Sequence, residues 1–154
     1  MLQKIVLIFV VSLFVVSCKQ SVEQAPETLK EVSQSANMSS INASIEQAFK
    51  QHKSNVEVEG KGIVTKILAD DNSGLKHQKF LVKISPEQTL LFAHNLDLAS
   101  RIAQLAIGDR IEFKGEYVYN PKGGIVHWTH KDPQGHHAAG WLKHNGKVYE
   151  WYFK

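Results

Sequence analysis

Histidine is the residue type whose number and placement in this chain call for a chemical reading. Of eight histidines, six follow residue 90 and four fall between His127 and His137. Three polar groups carry them: His77-Gln78, then His94-Asn95 with Asp97, then the run His127-Trp128-Thr129-His130-Lys131-Asp132-Pro133-Gln134-Gly135-His136-His137. Imidazole and carboxylate are the usual ligands of zinc and similar divalent metals, and a catalytic zinc takes three of them and keeps a position open. His130 and Asp132, converging with His136 and His137 across the Pro133-Gln134-Gly135 turn, are the candidate metal set, and a metal-dependent hydrolase of nuclease type is the reaction they would serve. The same side-chain types can instead line a polar pocket. His77, His94, Asn95, Asp97, His127 and His130, all near strand ends, are the candidate ligand-binding set. A third reading is purely structural: the imidazoles brace loops, Asn95 and Asp97 cap a helix, and Asp132 before Pro133 initiates a turn.

Other chemistries lack their residues. There is no HExxH, no pair of cysteines and no Gly-x-Ser-x-Gly elbow, and Gly60-Lys61-Gly62 and Gly123-Gly124 precede strands where a phosphate loop would precede a helix. Arg101 and Arg110 are the only arginines, and lysines alternate with acidic residues at a net charge of +3. A nucleic-acid partner is therefore disfavoured, since such binders concentrate positive charge on one face.

The elements that must position these groups are mostly strands. Ile41, Ile45, Ala48 and Phe49 recur at helical spacing and predict a short amphipathic helix over 42–52. Val56 to Leu68 reads as one long first strand, with Gly60 and Gly62 marking a bulge or bend. Asp70 to Gly74 has turn chemistry, and after it Gln78, Phe80, Val82 and Ile84 face one side while His77, Lys79, Leu81 and Lys83 face the other. Thr89 to Ala93 is a third strand. Leu98, Ile102 and Leu105 predict a second short helix over 97–106. Ile111, Phe113, Gly115, Tyr117 and Tyr119 alternate with charged residues in a fourth strand, and Ile125 to His130 forms a fifth. Asn145-Gly146 between aromatic and apolar residues signals a C-terminal hairpin. Trp128, Trp141 and Trp151 read as core and hairpin packing. The expected fold is mainly β with two short helices: a five-stranded OB-like barrel plus a C-terminal β-hairpin.

The N-terminus sets an address. An uncharged run from Ile5 to Val16 follows Lys4 and ends at Ser17 and Cys18, the only cysteine. Spanning a bilayer takes about 20 apolar residues, so the run is an export signal and not a spanning helix. Val15-Val16-Ser17-Cys18 resembles the lipobox of bacterial lipoprotein signals, which implies cleavage after residue 17 and acylation of Cys18. Lys19 in place of a retention aspartate implies the outer membrane, facing the periplasm. The organisation is then a signal peptide over 1–17, a lipidated tether over 18–40 without apolar periodicity, and one domain over 41–154. Cleavage lowers the net charge to +2 by removing Lys4.

A second resemblance covers the domain. His77-Gln78 with Phe80, the stretch Leu91 to Ala99, Gly115-Glu116-Tyr117, and Gly123 to Pro133 with Gly140-Trp141 resemble the bacterial domain of unknown function 3465 family over residues 41–150. The resemblance implies one compact exported domain and assigns no catalytic residue. The reading that follows is a periplasm-facing lipoprotein whose barrel binds a small-molecule or oligomeric ligand. A metal-dependent hydrolase, with a divalent metal such as zinc as its cofactor, is the first alternative and a structural envelope protein the second.

Overall fold

A computed structural model of the protein describes residues 25–151 apart from Asn72. The expected export signal, Cys18 and the first part of the expected tether lie outside the described residues.

The chain runs α1 (Ala25–Lys50), β1 (Val56–Ile67), β2 (His77–Lys83), β3 (Thr89–Asn95), β4 (Arg110–Val118), β5 (Ile125–His127), β6 (Trp141–His144) and β7 (Lys147–Tyr149). β1 is antiparallel to both β2 and β4, β2 to β3, and β4 to β5, while β3 and β5 run parallel. The circuit β1-β2-β3-β5-β4-β1 therefore closes, and the expected five-stranded OB-like barrel is present. β6 extends the ring outward. It pairs with Ile111–Lys114 on the edge of β4 whose other half, Glu116–Val118, pairs with β5, and β7 completes the expected hairpin.

Strict alternation explains the closure. Phe80 and Val82, Leu90 and Phe92, Ile111, Phe113 and Tyr117, and Val126 all point inward and are buried. Phe92 stacks on Phe80 at 5.2 Å and meets the edge of Phe113 at 4.8 Å, so three strands share one aromatic contact. Each such ring contributes roughly 1.5–3 kcal/mol by leaving water.

Three expectations on the elements are corrected. The first helix starts at Ala25 and not near residue 42, so residues 25–40 of the expected tether are helical. Apolar periodicity reports only the turns that pack: Ile45 and Ala48 join the core, and once those turns are held, propagation through the polar stretch before them costs little. The helix over 97–106 does not form. Gln78, inward on β2, donates to Ile102 O and accepts from Ile102 N–H, both at 3.0 Å, which takes up the backbone groups a helix would use. The segment runs as turns that still bury Ile102. The irregularity in β1 falls between Val64 and Lys66, and not at its glycines. Gly60 and Gly62 serve close approach instead: a Cβ on Gly60 would stand 2.6 Å from Asn42 Oδ1, and one on Gly62 2.5 Å from Lys83 O.

Candidate functional site

The outward faces of β2, β3 and β5 meet at one end of the barrel. His77 lies opposite Asn95 in the β2–β3 register, and His127 lies opposite Glu116 in the β5–β4 register. Because these residues alternate with buried Gln78, His94 and Val126, all four belong to the barrel's outer surface. Glu116 Oε1 accepts from His127 Nε2–H at 3.2 Å, which leaves Nδ1 of that ring as an acceptor.

β5 ends at His127, three residues earlier than its apolar pattern implies, because Trp128 adopts φ = 51°. A bulky residue in the left-handed region is a genuine outlier, held only where its surroundings over-determine it. Here they do. Thr129 and His130 on its C-terminal side are both buried, Gly140 N–H donates to His130 O at 2.9 Å, and Gly140 lies so near that a Cβ would stand 2.0 Å from Trp128 O.

The loop that follows is organised by Asp132. Its carboxylate accepts the backbone N–H of Gln134 at 2.9 Å, of His137 at 3.1 Å, and of His136. These bonds, that from Gln134 foremost, hold the carboxyl below the usual aspartate range. Lys131 ties the loop to the C-terminal end through Glu150, by its backbone N–H to Glu150 O at 2.8 Å and its ammonium to Oε1 at 2.7 Å. His130 donates from Nδ1 to Lys131 O and His137 donates from Nδ1 to Ala138 O, each at 2.8 Å. The rings form a connected series: His127 against Trp128 at 5.0 Å, Trp128 stacked on His137 at 4.4 Å, and His137 edge-on to His130 at 5.1 Å. Burial pushes the His130 imidazole below its ordinary range, so it is neutral at pH 7.

A concavity of about 490 Å³ opens where these pieces meet. His77, Asn95, His127 and His130 of the expected ligand set line it, and so do Asp132, His136 and His137 of the expected metal set. His94 and Asp97 do not. His94 is wholly buried on the inner side, where Nδ1 accepts from the Thr129 hydroxyl at 2.7 Å and Nε2 donates to Ser100 O at 3.2 Å. Burial above all pushes its pKa down to about 4. Asp97 is exposed and accepts the Lys76 N–H at 2.9 Å, while its own N–H goes to Asn95 Oδ1 at 2.8 Å, so this pair shapes a turn where a helix cap was expected. The metal set lines the concavity without being grouped there as an ion site. Among the described residues no three His, Cys, Asp or Glu side chains are grouped to hold an ion. Asp132 is committed to backbone N–H groups, and the side chain of His136 is 71% exposed, 3.5 Å from that carboxylate.

Trp128 and Glu116 are the site residues that sequence reasoning missed. Trp128 was expected in the core, and no local pattern announces its backbone reversal. Glu116 did carry a signal, since it alternates outward between buried Gly115 and Tyr117.

The fold and site define a class: a closed OB-type barrel with a small C-terminal hairpin and a histidine-rich concavity on its outer face. The chain belongs to the family described as Protein of unknown function (DUF3465), whose model matches residues 28–150. The match begins inside α1, in keeping with a helix longer than its apolar repeat. No curated protein matches the chain.

Proposed function

We propose that this protein is the ligand-binding module of an exported lipoprotein, anchored through acylated Cys18 to the outer membrane and facing the periplasm. The observation that carries the binding reading is convergence. His77, Asn95, His127 and His130 come from three strands and a loop, up to 53 positions apart, yet line one concavity. Loop bracing alone accounts for His94 and does not account for His77, which has no side-chain partner among the described residues. The location supports the reading by analogy, because OB barrels often take ligands on the face of their second and third strands. Analogy of fold does not choose the ligand.

Binding is favoured over hydrolysis by the donors. His127, His130 and His137 each spend one ring N–H on a protein oxygen, which fixes the rings for recognition, and among the described residues no three His, Cys, Asp or Glu side chains are grouped to hold an ion beside them.

Native mass spectrometry of the protein released gently from its own cell envelope tests the proposal. A retained adduct is expected, lost on His77→Ala with His127→Ala while the fold, read by circular dichroism, persists. An adduct that survives both changes, or none in any preparation, sinks the reading.

A further inference from the structure

A second concavity, of about 200 Å³, adjoins the first across the outer face of β1 and β4 and shares Trp128, His136 and His137 with it. The shared residues form a ridge, and the ridge is built: Trp128 is held in its left-handed conformation by the close packing of Gly140, and His137 is stacked on the indole. A ligand filling both hollows must be long enough to cross that ridge.

The polar groups select its chemistry. His127, His130 and His137 donate one ring N–H each to Glu116, Lys131 O and Ala138 O, so in the neutral ring the nitrogen left for a ligand is in each case an acceptor. A phosphate, which only accepts, finds no complement at those three nitrogens. No lysine or arginine lines the larger hollow. In the smaller one Lys114 is engaged by Glu57 at 2.9 Å. The carboxylates keep their charge but are few and each engaged, Glu116 by His127 and Asp132 by backbone N–H groups, so no acidic cluster faces a polycation. What remains is a neutral chain rich in hydroxyl groups, which donate to imidazole nitrogen and accept from amides. Resting on the binding reading above, we infer that the ligand is a neutral oligosaccharide that lies across the Trp128–His137 ridge and occupies both hollows.

Backbone amide shifts of the isotopically labelled chain, titrated with β-1,4-linked glucose and N-acetylglucosamine oligomers of increasing length, test this. Short oligomers are expected to shift amides around His77 and Asn95 alone. Longer ones should also shift Glu57 and Lys114 and bind at least about tenfold more tightly, as linked contacts do. Glu57→Ala should weaken only the longer oligomers, and His77→Ala all of them. Shifts confined to the larger hollow at every length overturn the bridging ligand and leave that hollow a binding site. Shifts with a short oligonucleotide or with spermine, and none with the glycans, overturn the neutral class. Silence toward every glycan overturns the proposal, and the envelope adduct then decides separately whether the face binds anything.

Discussion

His94 shows how one imidazole can be essential to the fold and absent from the site. It shares the sequence neighbourhood of Asn95 and Asp97, and only the parity of β3 turns it inward, where Thr129 and Ser100 satisfy both ring nitrogens. The consequence is a pH dependence of stability. Unfolded, the ring takes up a proton near its ordinary value of 6.5; folded, only near pH 4. Between these values the unfolded state binds more protons, so stability is complete above pH 6.5 and is lost as pH falls through the window. The full loss is about 3 kcal/mol for a shift of this size. Burial moves His130 the same way and adds to the trend. Urea denaturation between pH 7 and pH 4 should show a falling midpoint, and His94→Leu should flatten the fall while lowering stability at pH 7 by about 2 kcal/mol, because the Ser100 carbonyl and Thr129 hydroxyl lose their partner. An unchanged slope in that variant would place the titrating group elsewhere. At this scale the sequence revealed which residue types matter, but not which side of the barrel wall each takes at a strand end. The left-handed turn at Trp128 decides that for His130 and His137, while His127 follows the alternation of β5, and the turn depends on Gly140, twelve positions away.

Among the elements, strands were legible and helices were not, for a physical reason. A strand half-buried in a barrel writes its period into every second residue, as β2 and β4 do from end to end. Among its described side chains α1 buries those of Asn42, Ile45 and Ala48, and the segment 97–106 buries Ile102 without being helical at all. Asn42 is the fastening of α1. Its amide donates to Lys61 O at 2.8 Å and Ile84 O at 2.9 Å and accepts the Lys61 N–H at 3.0 Å, joining the helix to β1 and to the residue just past β2. This docking depends on the bare Cα of Gly60, where a methyl group would stand within 2.6–2.8 Å of Asn42, Phe113 and Ile45 side chains. Alanine is ordinarily neutral or better than glycine in a strand. Gly60→Ala should instead cost about 1–3 kcal/mol by overpacking, read as a lower urea midpoint. An unchanged or higher midpoint would mean that the helix does not seat on β1 in this way.

For the whole molecule the proposed lipid anchor at Cys18 makes a prediction about membrane attachment. No helix among the described residues is long and apolar enough to cross a bilayer. Nor does charge supply an attachment. The chain without residues 1–17 carries +2, with lysines answered by glutamates in Lys114–Glu57, Lys131–Glu150 and Lys143–Glu112. Attraction to anionic lipid, about 1 kcal/mol for each unpaired basic residue near the surface, is therefore small. On the proposed reading the acyl chains on Cys18 supply the attachment, since several chains together anchor stably where one binds only marginally. Cys18→Ser is expected to move the protein from the detergent-extractable membrane fraction to the soluble or unprocessed pool. Mass spectrometry of the parent's N-terminal peptide should show residue 18 first and carrying fatty acid. The five strands of the ring lie within residues 56–127, so the released variant should keep the parent's urea midpoint and its histidine-face ligand. Retention of Cys18→Ser at the membrane at high salt would show that a surface of the folded domain is the anchor, and the exposed side chains of Leu75, beside the larger hollow, and Ile107 would be the first places to look.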